Sequence, residues 1–116
     1  MFKLKIISIY AKKAQSDGAG SDDIIFEVDG IKKIDKRPFQ TGEIMKNDDN
    51  SPLFEIPIGS NDKRELVLKD YDLNPSDIDY IGSYTVDAAN VEFGVEDIAT
   101  IVGANSEYSI RYIIEE

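Results

Sequence analysis

"LVLKDYDLNPSDIDYIGSYTV", residues 66–86, passes from one alternating apolar segment through an acidic stretch into another. Leu66 and Leu68 repeat at a spacing of two before it, and Tyr80, Tyr84 and Val86 share a face with Gly82 after it, so the stretch reads as strand, connection, strand. Between them stand Asp70, Asp72, Asp77 and Asp79. Carboxylates held about 4 Å apart repel by roughly 1 kcal/mol even at the dielectric of water, and by more wherever protein displaces solvent. The connection is therefore either loose and solvated, or built around something positive.

Working outward, the same two-residue period recurs along the chain with turn signals between the runs. No window of eleven or more residues keeps a clean helical period. A first strand is expected near 2–12, with Phe2, Leu4 and Ile6 on one face and Ile7 and Ile9 on the other; that switch of face implies a bulge or a central position. A second, near 23–28, aligns Ile24, Phe26 and Val28, and Asp29-Gly30 suits a tight hairpin turn into a third at 31–34. Residues 35–51 read as the longest irregular segment. Strands follow at 53–58 (Phe54, Ile56, Ile58) and 65–69. Residues 91–102 fit a strand or a short helical turn, and the last strand, 107–114, turns Tyr108, Ile110, Tyr112 and Ile114 inward. The tyrosines alternate with aliphatics and read as core or interface residues. The expectation is an all-β, eight-stranded antiparallel two-sheet sandwich forming a single domain over 1–116.

Composition narrows the chemistry. The 116 residues contain no cysteine and no histidine, which removes disulfides, thiolate metal sites, histidine triads and the usual zinc and copper ligands. With 23 acidic against 13 basic side chains the net charge is −10, the wrong sign for a phosphate backbone, so nucleic acid is not an expected partner. The start, "MFKLKIISIY", has too short an apolar run for a signal peptide, and nothing approaches a membrane span. The expected protein is soluble, either cytoplasmic or exported without an N-terminal signal.

If successive strands run up and down, the first, third and fifth connections share one end of the sandwich. That end then collects Asp17, Asp22 and Asp23, then Asp48 and Asp49 of "NDDN", then Asp70, Asp72, Asp77 and Asp79. Asp48 and Asp49 also read as ordinary loop surface. The opposite end receives Asp29-Gly30, "GSNDKR" and "DAAN". Hard oxygen donors on loops, with no nitrogen or sulfur ligand, favour calcium over magnesium. An EF-hand is excluded, because Pro75 stands where its sharp turn needs glycine and Ile81 where its bidentate glutamate belongs.

The pairing of "DGAGSDDIIFEV" (17–28) with residues 66–86 resembles the C2 domain, an eight-stranded sandwich that binds calcium at one end. The nearer likeness is to small bacterial C2-like proteins of unassigned role, with a type II-like strand order. The resemblance implies one to three Ca²⁺ ions, with Asp17 and Asp22 as first-loop ligands, Asp70 and Asp72 bridging, Asp79 completing the shell, and Gly82 as a close-packed glycine. Asp23 stands where the family has proline, Ile24 or Ile25 replaces its tyrosine, and each loop is about one residue longer than the common form. Asp23 therefore competes with Asp22, and Asp77 with Asp79, as ligand.

Lys32, Lys33, Lys36 and Arg37 form the basic cluster, around the third strand. In C2 domains such a strand engages anionic headgroups; lysines also guard edge strands against pairing. Leu73, Phe39, Ile44 and Met45 fall at the expected cation end, within reach of a bilayer, with Phe39 and Met45 equally suited to tuck under their own long loop. The leading expectation is a non-enzymatic calcium-binding module in which the ion either stiffens the loops or supplies positive potential for docking to an anionic membrane surface or a protein partner. The alternative is a structural or assembly subunit of a secreted particle or filament, a homo-oligomer included, in which calcium only stabilises the fold or a subunit contact.

Overall fold

The computed structural model describes residues 1–15, 20–71 and 78–116. Among these it contains nine strands: β1 (Phe2–Lys13), β2 (Ser21–Val28), β3 (Ile31–Gln40), β4 (Ile44–Lys46), β5 (Phe54–Ile58), β6 (Lys63–Tyr71), β7 (Ile78–Asp87), β8 (Asp97–Gly103) and β9 (Ser106–Glu115). A single 3₁₀ turn at Ala88–Asn90 precedes β8, with Asp87 as its cap. All pairings are antiparallel. One sheet has the order β4-β1-β9-β8, with β5 also on β1; the other has the order β3-β2-β6-β7. Because β4 pairs with Ser8–Tyr10 and β5 with Phe2–Ile6 of the same strand, the two are segments of one interrupted edge. Counted so, the sandwich has the eight strands expected from the sequence.

The core lies between the sheets and follows the two-residue period. Ile24, Phe26 and Val28 of β2, Leu66 and Leu68 of β6, and Tyr108, Ile110, Tyr112 and Ile114 of β9 are all at most 2% exposed. Each large side chain so buried contributes about 1.5–3 kcal/mol relative to solvent. The face switch in β1 is a bulge: the register on β9 slips between Ile6 and Ser8, so that Ile6 and Ile9 both point inward. At Asp29-Gly30 both residues have positive φ, 52° and 80°, as a tight hairpin requires.

Three expectations change. Residues 35–51 are not irregular throughout, because β3 continues to Gln40 and β4 follows. Pro38 is tolerated there because β3 is an edge strand with no partner needed on one side. In β7 a bulge opposite Leu68–Lys69 turns Ile81 inward and leaves Tyr80 exposed, so Tyr80 does not share the face of Tyr84 and Val86. Residues 97–103 are strand, which settles the ambiguity at 91–102.

One end of the sandwich joins the turns at Asp29, Asp62 and Ala88: the Asp29 amide donates to Glu65 O and that of Ala88 to Asp62 O. The other end joins the first connection to the β3–β4 and β8–β9 turns. There the Ala14 amide donates to Thr41 Oγ1, that of Gln15 to Ser106 Oγ, and that of Thr41 to Gly20 O. Asp48 and Asp49 belong to neither end. The β4–β5 interruption sets them beside the middle of β1, where the Leu53 amide donates to Ile6 O.

Candidate metal centre

Asp22, Asp23, Asp70 and Asp79 are strand residues, not loop residues, and the pleat decides which face each takes. Asp22 is two positions before Ile24 on the inner face of β2 and is 1% exposed; Asp23, one residue on, is exposed on the outer face. Asp70 stands opposite Ile24 on β6, also inward and 1% exposed. Its Oδ1 accepts a hydrogen bond from the Asp23 amide at 2.7 Å, which ties together segments 47 residues apart in sequence. Asp79 is half-buried and directly opposite Asp70 in the β6–β7 register. Directly opposed residues place their Cβ atoms about 4.5–5.5 Å apart, and like charges there are destabilising.

The structure therefore gathers Asp22, Asp70 and Asp79 on the inner face at one end of one sheet, and sets Asp23 on the other face. Asp17, Asp72, Asp77 and Leu73 lie outside the described residues. Among the described residues no three acidic side chains stand close enough to hold an ion by themselves. The donor set, carboxylate oxygen throughout, fits Ca²⁺ in kind.

Sequence reasoning missed the groups that hold Asp22. Ser106 Oγ donates to its Oδ2 at 2.8 Å and Tyr108 Oη to the same oxygen at 2.7 Å. Tyr108 was legible as an inward strand residue, and the need of a buried phenol for a partner was the available signal; Ser106 carried none. Asp48 is exposed on the loop, and Asp49 is occupied locally: its carboxylate accepts from the Ser51 hydroxyl and amide, which hold its pKa below the ordinary value.

The basic cluster is largely engaged within the fold. Lys32 pairs with Asp35, Lys36 lies over the Tyr71 ring at 4.2 Å, and Arg37 pairs with Glu43 while stacking on Phe39. Lys33 makes no ion pair among the described residues; it lines a cleft of about 400 Å³ with Val28, Asp29, Ile31, Ile56 and Arg64, at the end away from Asp22 and Asp70. Of the apolar residues expected near the cation, Phe39 is fully buried, Met45 packs against the core, and Ile44 is exposed. Among the described residues no helix is long and apolar enough to cross a membrane.

Neither a family model nor a curated protein sequence matches the chain. Solved structures do. A structure described as that of a C2 domain is 10% identical, with a TM-score of 0.56, and the match covers 98% of both chains. Human GIVD cytosolic phospholipase A2 bound to methyl gamma-linolenyl fluorophosphonate is 17% identical, with a TM-score of 0.54 over 99% of this chain. A complex of the same phospholipase that also holds terbium chloride matches with a TM-score of 0.53. The chain spans only 17% of the length of those phospholipase chains. The fold is C2-like.

Proposed function

We propose that the protein is a non-enzymatic calcium-binding β-sandwich module. Its ions are held by aspartates of the β1–β2 and β6–β7 connections and the strand ends that flank them: Asp17, Asp22, Asp70, Asp72 and Asp79, with Asp77 competing for the last position. The observation that carries this reading is the placement of Asp22, Asp70 and Asp79 on one inner face, with Asp70 and Asp79 opposed and Asp70 buried. A divalent cation reverses the sign of that arrangement, turning a repulsive pair into shared ligands. C2-like folds commonly bind calcium and lipid, and a bound ion would supply the positive potential this acidic chain lacks for docking to an anionic membrane surface or protein. Since Lys32, Lys36 and Arg37 already have partners within the fold and Lys33 lines a cleft at the far end, the docking proposed here runs through the ion rather than the β3 cations.

A ligand that binds only the folded state stabilises it by about 2.7 kcal/mol at a hundredfold excess over Kd, a rise in Tm on the order of 10 °C. Calorimetric titration with calcium and with magnesium, beside melting in calcium and in chelator, tests this. Asp70→Asn with Asp79→Asn is expected to abolish the calcium-dependent rise, while Asp48→Asn leaves it intact. An undiminished rise in the double variant removes both residues from the site; binding to phosphatidylserine vesicles that is equal in chelator refutes docking through the ion.

A second reading, an assembly subunit in which calcium only locks a shape or a subunit contact, is favoured by one feature. Ile98 and Val102, 54% and 64% exposed, project from β8 at the edge of its sheet. Size-exclusion chromatography in calcium and in chelator separates the two readings.

A further inference from the structure

We infer that Ser106 and Tyr108 are positioning residues for the Asp22 carboxylate, so that the β8–β9 hairpin sets how tightly the acidic end takes a divalent cation. The inference rests on the calcium reading above and deepens it, by assigning control of the site to residues that are not themselves ligands.

Both hydroxyls converge on a single oxygen, Oδ2 of Asp22, at 2.8 and 2.7 Å. All three residues are at most 1% exposed, so water does not compete for these bonds. The direction of each is fixed by chemistry: an ionised carboxylate only accepts, and a hydroxyl has one proton to give. Ser106 Oγ gives its proton to Asp22 and in turn accepts from the Gln15 amide at 2.9 Å. It therefore joins the entrance of the first connection to the carboxylate that lies beyond that connection's exit. The Tyr108 ring is packed edge-on against Phe39, centroids 5.7 Å apart at 87°, so the phenol has little freedom to follow a moving partner. Thr41 completes the frame, with its hydroxyl accepting from Ala14 and its amide donating to Gly20 O.

Two consequences of this clamp oppose each other. The donors draw charge from the carboxylate, which weakens it as a ligand, and they hold it in one rotamer before any cation arrives, which removes an ordering cost from binding. Positioning is expected to prevail, because the donor ring of Tyr108 is fully buried and braced against Phe39 and so holds the carboxylate in one rotamer. Loss of groups that orient metal ligands costs about 10- to 100-fold in affinity.

The test is calcium chloride titration of the full chain by calorimetry, for the wild type, Tyr108→Phe, Ser106→Ala, Asp22→Asn and the pair Asp22→Asn with Tyr108→Phe, with melting in chelator alongside. Tyr108→Phe is expected to weaken calcium binding about 10- to 100-fold. In the Asp22→Asn background the same change is expected to leave Kd unmoved, whereas a merely structural role would shift Kd alike in both backgrounds. Unchanged or tighter binding by Tyr108→Phe, with the wild type binding normally, overturns the positioning role and leaves the calcium reading standing. No binding by the wild type overturns the calcium reading itself. Should Tyr108→Phe fail to fold in chelator, Ser106→Ala, the smaller change, decides by the same criterion.

Discussion

Gly103 lies at the seam between the two sheets with no room for a side chain. A Cβ there would stand 1.8 Å from the carbonyl oxygen of Ile81, and the obstacle is backbone, which cannot rotate aside. Gly82 faces the same seam, but its Cβ would meet the Ile101 side chain at 2.8 Å. Gly103→Ala is therefore expected to cost about 3 kcal/mol or more, read as a lower urea midpoint, and more than Gly82→Ala. The importance of Gly82 was legible through the C2 resemblance, whereas nothing in the local pattern of Gly103 marks it, because the close approach joins strands from different sheets. The same limit applies at Asp22 and Asp23. Two identical neighbours cannot be told apart by composition; the pleat turns Asp22 inward and Asp23 outward, and it is anchored by Ile24 being inward.

Strands were legible wherever the period of two ran unbroken, and were misread at bulges. In β1 the switch from Ile6 to Ile9 announced its bulge because both faces carry isoleucine. In β7 the order Tyr80, Gly82, Tyr84 mimics an unbroken alternation, and the extra residue, Ile81, is visible only in the register against Leu68 and Lys69. The second half of β3 was hidden by its polar run and by Pro38. That strand is an exposed edge, and Lys36 within it has a positive φ of 56°. Lys32 and Lys33, both exposed near its start, are of the kind that blunt edge-to-edge pairing. Lys32→Val with Lys33→Val is expected to leave the calcium response unchanged and to produce concentration-dependent oligomers on size-exclusion chromatography. A variant that stays monomeric would show that the edge is guarded by other means.

Over the whole molecule, the alternation of strand direction brings together the ends of β2 and β6 that carry Asp22, Asp23 and Asp70, as the Asp23–Asp70 hydrogen bond shows. It failed for Asp48 and Asp49, because a strand broken into β4 and β5 returns its loop to mid-sheet, a detail that counting strands does not reveal. A net charge of −10, with several carboxylates at one end, makes the metal-free chain self-repelling. Sodium chloride is thus expected to raise Tm in chelator, and to shrink the calcium increment as screening substitutes for the ion. Melting curves between low and about 0.5 M salt check this, and an increment that does not shrink would place the ion's effect in local coordination rather than in charge. The partnership of β1 with β9 carries a mechanical corollary. Lys3 opposes Glu115 and Lys13 opposes Glu107, so the two chain ends emerge side by side. Tension applied between them peels the central pair open like a zipper, one rung at a time, and strain reaches the carboxylates last, about 30 Å from the grips.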